Sequence, residues 1–353
     1  REMTVIASGD YDYSLSKQLA CNSGLSPSKQ FVVTSQSRVD KPTVTELRDR
    51  NGKTLMTLET ADIAGLPRGW QWPERVTLTA NDGLTDIYAV VFRPSDFDAT
   101  KTYPVLDIDT ATPFYCNYPT GSFHIGDPGG NFWYLLSAAL AELGFIVTLI
   151  MGRGTPYRSK TFHDVGYESF IDGGGIVDHV AGIKQLAERY PYMDLDRVGI
   201  MKPDAPSNGA VLGLLNHPDF YKVGIAFSIW DPRLVKQGEV YHGLLTEDDC
   251  QQPIWRDAVH HLRGKLLLVA GLMDPFFHGG MTFQLIDALT KANKDFDVLI
   301  PPNGGHGWRV KHAHRRAWDY LVRHLQGNEP PQNFTLETGI EKLIPSQMPE
   351  TNG

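Results

Sequence analysis

Arg197-Val198-Gly199-Ile200-Met201-Lys202-Pro203-Asp204-Ala205-Pro206-Ser207-Asn208-Gly209-Ala210-Val211-Leu212-Gly213-Leu214-Leu215 reads as a short apolar strand, a turn and an apolar helix. The same alternation extends outward in both directions. Strand-like runs fall at Pro104 to Ile108, Phe145 to Ile150, Val223 to Phe227, Leu266 to Ala270 and Val298 to Ile300. Helical periodicity fills Trp133 to Leu143, Val177 to Arg189, Ala210 to Leu215, Phe283 to Lys291 and Ala313 to Leu325. In Val177, Val180, Ala181 and Ala187 the apolar spacing suits one buried helix face. Short apolar strands alternating with helices imply an α/β fold with a mostly parallel sheet covered on both faces. Ligands of such sheets sit at the carboxyl ends of the strands, which directs attention to the loops after Met201, Ala270 and Ile300.

Upstream, residues 1–75 read as β-rich. Phe31 to Thr34 and Thr43 to Leu47 look like strands, and Arg50-Asn51-Gly52-Lys53 is a turn. Arg75 to Thr79, the turn Asn81-Asp82-Gly83 and Ile87 to Phe92 make a hairpin. The expected division is a β-rich segment over 1–75, a main domain over 76–326 and a polar surface tail over 327–353.

With 353 residues the chain can bury a sizeable core. Its 33 basic against 41 acidic residues give a net charge of −8, which argues against nucleic acid or an anionic membrane as partner. The composition is that of a soluble globular protein, and no apolar run is long enough to span a bilayer. No signal peptide is visible, although the chain starts at Arg1 and removal of an upstream segment stays open. Cys21, Cys116 and Cys250 match neither a disulfide framework nor a zinc spacing. His312 and His314, two apart on an expected helix, face different sides and make a poor metal pair. No metal and no cofactor is expected, and self-association is left open.

Several segments, in order and spacing, resemble the dipeptidyl peptidase IV-like branch of the prolyl oligopeptidase family. They are Asp86-Ile87-Tyr88 through Arg93-Pro94-Ser95, Gly152-Arg153-Gly154-Thr155-Pro156 with Arg158, and Asp178-His179-Val180. Asp194 to Ile200, His217 to Val223 and Gly305-His306-Gly307 complete the set. The resemblance implies an α/β-hydrolase fold across roughly residues 76 to 325. It likens residues 1–75 to the last strands of the family's β-propeller, most of which is absent here, with the acidic pair that grips a peptide's amino terminus.

In α/β hydrolases the nucleophile sits on a tight strand-to-helix turn, G-x-S-x-G, whose glycines allow the strained backbone and close helix packing. Counted without gaps from both flanks, Asp204 takes the serine position, and Lys202 and Pro206 take the glycine positions. A second register, Ala205-Pro206-Ser207-Asn208-Gly209, makes Ser207 the nucleophile but needs an insertion and a compensating deletion. Serine at a helix start is also the ordinary N-cap. Asp274 matches the family's acid and His306 its histidine, in the chain order nucleophile, acid, histidine.

Other family positions are changed. The oxyanion tyrosine falls at Thr110, a shorter side chain, with Tyr115 or Tyr118 as substitutes; losing one oxyanion donor costs about 10²–10³ in rate. Ala205, next to Asp204, takes the other oxyanion position. The carbonyl-binding asparagine falls at Phe276, followed by Phe277. Trp230 and Tyr241 resemble the aromatic lining of the side-chain pocket, and core packing explains each equally well.

Three readings follow. In the first, Asp204, ionised at neutral pH, acts with His306 and Asp274 on a small, partly apolar or short peptide-like substrate, as a nucleophile or in an acid–base pair. In the second, the domain is a peptidase-like binding or structural module without catalysis. In the third, Ser207 serves a serine hydrolase.

Overall fold

The computed structural model describes residues 3–15, 24–109, 118–123, 128–169, 175–203, 207–231, 255–277, 279–306 and 311–336, and its strands form two sheets. The first is antiparallel, in the order β1 (Asp12–Leu15), β2 (Phe31–Arg38), β3 (Lys41–Asp49) and β4 (Thr54–Thr60). Cross-strand hydroxyl pairs lace β2 to β3: Ser35 with Thr45 at 2.9 Å and Ser37 with Thr43 at 2.7 Å.

The second sheet holds β5 (Glu74–Thr79), β6 (Asp86–Phe92), β7 (Tyr103–Ile108), β8 (Ile146–Met151), β9 (Met193–Lys202), β10 (Tyr221–Phe227), β11 (Lys265–Val269) and β12 (Asp297–Leu299). Their spatial order is β12-β11-β10-β9-β7-β8-β6-β5. Pairing is parallel from β12 through β8 and antiparallel where β6 meets β8 and β5. This is the mostly parallel sheet that the alternation predicts, in the α/β-hydrolase fold that the resemblance implies.

Among the described residues six α-helices cover it: α1 (Pro128–Glu142), α2 (Lys160–Ser169), α3 (Ile176–Arg189), α4 (Asn208–Asn216), α5 (Gly280–Lys291) and α6 (Lys311–Leu321). Successive strand residues point to opposite faces, so each central strand feeds two cores. Val105, Ile200 and Leu268 pack with α3, α4 and α5, whereas Leu106, Met201 and Leu267 pack with α1 and α6. Each such buried aliphatic side chain stabilises by about 1.5–3 kcal/mol.

Three elements were not expected from sequence: β1, β4 and α2. The last expected helix, Ala313 to Leu325, is α6 followed by a π turn over Val322–Gln326, which ends at Gly327 in the left-handed region. The large sheet begins at Glu74.

The segment between β7 and α1 is tied to the first sheet at Ser122. Its carbonyl accepts the Thr43 hydroxyl at 2.6 Å, and its N–H donates to Ser37 Oγ at 2.9 Å. Arg153 joins the exit of β8 to α3 and the β5–β6 hairpin, bonding Asp178 through Nε at 3.0 Å and a terminal nitrogen at 2.9 Å, and Asp82 at 2.9 Å. A buried carboxylate is stable there because a planar guanidinium meets it with two aligned donors.

Beneath the carboxyl ends of the central strands lies a layer of buried polar groups. His179 Nδ1 stands 3.0 Å from both oxygens of Asp107, and the Tyr221 hydroxyl donates to Asp107 at 2.8 Å. Ile108 pairs with Met201, so Asp109 and Lys202 follow on adjacent strands, and their charges meet at 3.5 Å with both side chains buried.

Candidate active site

The loops that leave β11 and β12 run side by side, and glycine allows it. A Cβ on Gly271 would lie 2.3 Å from the Gly305 carbonyl oxygen and 2.4 Å from that of Gly304. Through this contact the two loops present Asp274 and His306 to each other. His306 Nδ1 lies 3.0 Å from Oδ2 and 3.2 Å from Oδ1 of Asp274. Asp274 Oδ1 also accepts the N–H groups of Phe276 at 2.9 Å and Phe277 at 3.0 Å, and the Ser228 hydroxyl donates to Oδ2 at 3.3 Å. Burial works to raise the Asp274 pKa. The N–H groups of Phe277 and Phe276 and the His306 ring outweigh it and hold the carboxyl below its ordinary value. An ionised Asp274 fixes the ring with its Nδ1–H toward the acid, which turns Nε2 to the working side.

Phe277 stacks on the His306 ring at 5.2 Å and 22°, and Phe276 meets it edge-on at 5.2 Å. Phe276 is nonetheless 71% exposed, so it stands at the rim. Trp230 packs edge-on against Phe277 at 5.9 Å. Its backbone is held by Asn208, the first residue of α4, whose amide accepts the Trp230 N–H at 3.2 Å and donates to the Trp230 carbonyl. The expected aromatic lining therefore reaches the histidine through Phe277. Tyr118 instead lines a cavity along β5.

Ser207 is the N-cap residue of α4, the position that the N-cap reading gives it, but its side chain makes no cap bond. Its buried hydroxyl accepts the Phe227 N–H at 2.9 Å and lies 2.6 Å from the Phe227 carbonyl and 2.8 Å from the Lys202 carbonyl. It acts as a backbone bracket between β9 and β10. Ser207→Ala is accordingly expected to cost about 1–3 kcal/mol, as befits loss of a buried hydrogen-bonding group. Chemical denaturation checks this, and a loss below 0.5 kcal/mol (on the order of a neutral surface change) would remove the bracket role.

Thr110, Asp204, Ala205 and Tyr241 lie outside the described residues, as do Tyr115, Gly307 and the three cysteines. Sequence reasoning missed Ser228, Asn208 and the Lys202–Asp109 pair. Ser228 had a readable signal, its place directly after a buried strand; its φ of 58° is rare for a residue with a side chain. Among the described residues no cluster of three metal-ligating side chains occurs, and no helix is long and apolar enough to cross a membrane.

A sequence profile of the prolyl oligopeptidase family matches residues 133–328, more than half of the chain. The chain is similar to human dipeptidyl peptidase 8, with 27% identity over 277 residues that cover 76% of this chain and 30% of that protein. It is similar to mouse prolyl endopeptidase FAP at 22% identity over 277 residues, covering 76% of this chain and 35% of that protein. The chain thus spans about a third of the length of these relatives. Among solved structures, a Bacteroides ovatus chain named for dipeptidyl aminopeptidase IV superposes with a TM-score of 0.73 and 23% identity, over 89% of this chain and 43% of that one. The profile match, and a fold that carries an acid and a histidine on adjacent loops in the expected order, place this chain in the prolyl oligopeptidase family.

Proposed function

We propose that this chain is a hydrolase-fold enzyme of altered chemistry, in which Asp204 stands in the nucleophile position and works with His306 and Asp274 on a small, partly apolar substrate. The observation that carries this reading is the assembled Asp274–His306 pair, both carboxylate oxygens of which have hydrogen-bond donors. The engagement of the Ser207 hydroxyl by backbone groups supports it further, since a side chain used as a bracket is a poor nucleophile. Carboxylates need no base to ionise at neutral pH. On this reading the ring serves two carboxylates, Asp274 and Asp204, which favours the imidazolium, so His306 acts as a general acid with a raised pKa. The aromatic rim of Trp230, Phe276 and Phe277 suits an apolar part of the substrate.

Titration of the His306 ring by proton NMR tests this. The wild-type ring is expected to titrate above the ordinary value of about 6.5, and Asp204→Asn to lower that midpoint by about one unit, equivalent to 1.4 kcal/mol. A ring already neutral at pH 7, or one indifferent to Asp204→Asn, would defeat the assignment. Mass added at Asp204 on incubation with candidate substrates would then separate covalent from acid–base chemistry. One observation favours the second reading, a module without catalysis: Phe276 and Phe277 pack on the His306 ring from two directions and leave its side chain 19% exposed. The same titration discriminates, because an unused ring has no need of a carboxylate at position 204.

A further inference from the structure

A cavity of 1060 Å³ lies between the N-terminal sheet and the edge strand β5, with Tyr11, Arg38, Trp72, Arg75, Tyr88 and Tyr118 among its walls. It is remote from His306. β5 and β11 are six strand positions apart in the sheet order, or roughly 29 Å at the usual inter-strand spacing.

Two guanidinium groups converge on one carboxylate inside this cavity. Arg75 directs both terminal nitrogens at Asp10, at 3.1 Å to Oδ1 and 2.6 Å to Oδ2. Arg38 binds Asp40 through Nε at 2.8 Å and one terminal nitrogen at 2.5 Å, and gives its other terminal nitrogen to Asp10 Oδ2 at 3.0 Å. Arg38 therefore keeps its own counter-ion, whereas Arg75 has side-chain hydrogen bonds with Asp10 alone among the described residues.

The anion held there is easily exchanged. Asp10 is 68% exposed and precedes β1 on a segment whose residues 3–8 form no helix or strand. Ion pairs this exposed contribute little to stability. Arg75 is itself 39% exposed, so a solute can reach the fork from water. Swapping one carboxylate for another preserves the charge balance around the two arginines, and a guanidinium fork matches any carboxylate in two aligned bonds. The aromatic walls offer flat apolar surface beside it.

We propose that Arg75 and Arg38 form a binding site for a carboxylate attached to a flat, apolar body, occupied by Asp10 in the free protein and taken over by the ligand. The site does not depend on the reading of Asp204 or His306.

Calorimetric titration with benzoate tests it. Removing the internal competitor, by Asp10→Ala or by the isosteric Asp10→Asn, is expected to tighten benzoate binding at least tenfold over wild type. Benzamide, which lacks the charge, should bind none of the three measurably. Adding Arg75→Gln to either variant should abolish the gain while thermal unfolding stays unchanged. Benzoate binding that is no tighter in the Asp10 variants, or a gain that survives Arg75→Gln, overturns the proposal. A preference for phenyl phosphate over benzoate that vanishes with Arg75→Gln overturns the carboxylate assignment.

Discussion

Replacing Asp107 by alanine is expected to lower stability by about 3–5 kcal/mol, the usual result of removing one partner from a buried charged pair. For a chain of this size that corresponds to a fall of roughly 4–7 °C in Tm. Asp107 is fully buried and receives hydrogen bonds from His179 and Tyr221. Without it the ring and the phenol both lose their acceptor, and both are fully buried. Nε2 of His179 already has no hydrogen-bond partner among the described residues, so the ring has nothing further to lean on.

The loss carries a pH signature with a definite sign. Burial works to lower the His179 pKa, but Asp107 first, then Asp109 and Asp178, overcome it and hold the pKa above the ordinary 6.5. A raised folded-state pKa contributes stability that is full below about pH 6.5 and is lost as pH climbs through the folded value. The gap between wild type and Asp107→Ala should therefore be widest below that pH and narrow above it. Urea denaturation at several pH values checks both parts. The triple variant Asp107→Leu with His179→Leu and Tyr221→Phe should recover most of the loss, because apolar groups of similar size can replace a buried polar cluster at little cost once no partner is left unpaired. A single variant within 1 kcal/mol (on the order of an exposed pair) of wild type would mean that the layer carries no charge.

Gly271→Val should separate Asp274 from His306. The added atoms would sit 2.3 Å and 2.4 Å from two carbonyl oxygens of the neighbouring loop, and backbone cannot swing aside as a flexible side chain does. Overpacking of this kind costs about 1–3 kcal/mol, but the larger effect falls on geometry, since Gly304 and Gly305 immediately precede His306. The low-field proton of a carboxylate-bound Nδ1 should disappear from the spectrum. Gly305→Ala is the control: nothing lies within 4 Å of its Cβ, and it should be neutral within about 0.5 kcal/mol. An undisturbed Nδ1 signal in Gly271→Val would show that the loops can part without consequence for the pair.

Much of the fold could be read from sequence because the central strands are apolar on both faces and short. Pro104 to Ile108, Phe145 to Ile150 and Val223 to Phe227 all fall inside or within a residue of observed strands. β4 escaped notice because Thr-Leu-Met-Thr-Leu-Glu-Thr has no buried face to generate an alternation. α2 escaped because its sequence is polar and carries Gly166, which is needed where its backbone touches Gly154: a Cβ there would meet Gly154 oxygen at 2.8 Å. Within the site, Asp274 and His306 were legible from their glycine-rich loops and chain order. The Asn208–Trp230 bracket and the Asp107–His179–Tyr221 layer were not, since their members lie between 22 and 114 residues apart and meet only when the strands pair. The bracket role of Ser207 was hidden for the same reason, since it joins Lys202 on β9 to Phe227 on β10.

All seven residues of β4 face water, Leu55, Met56 and Leu58 among them, and the strand ends its sheet. Its outer row of amide and carbonyl groups is a template onto which another extended chain can zip. The expected consequence is association through that margin that grows with concentration, with a single acidic side chain, Glu59, along the strand to discourage it.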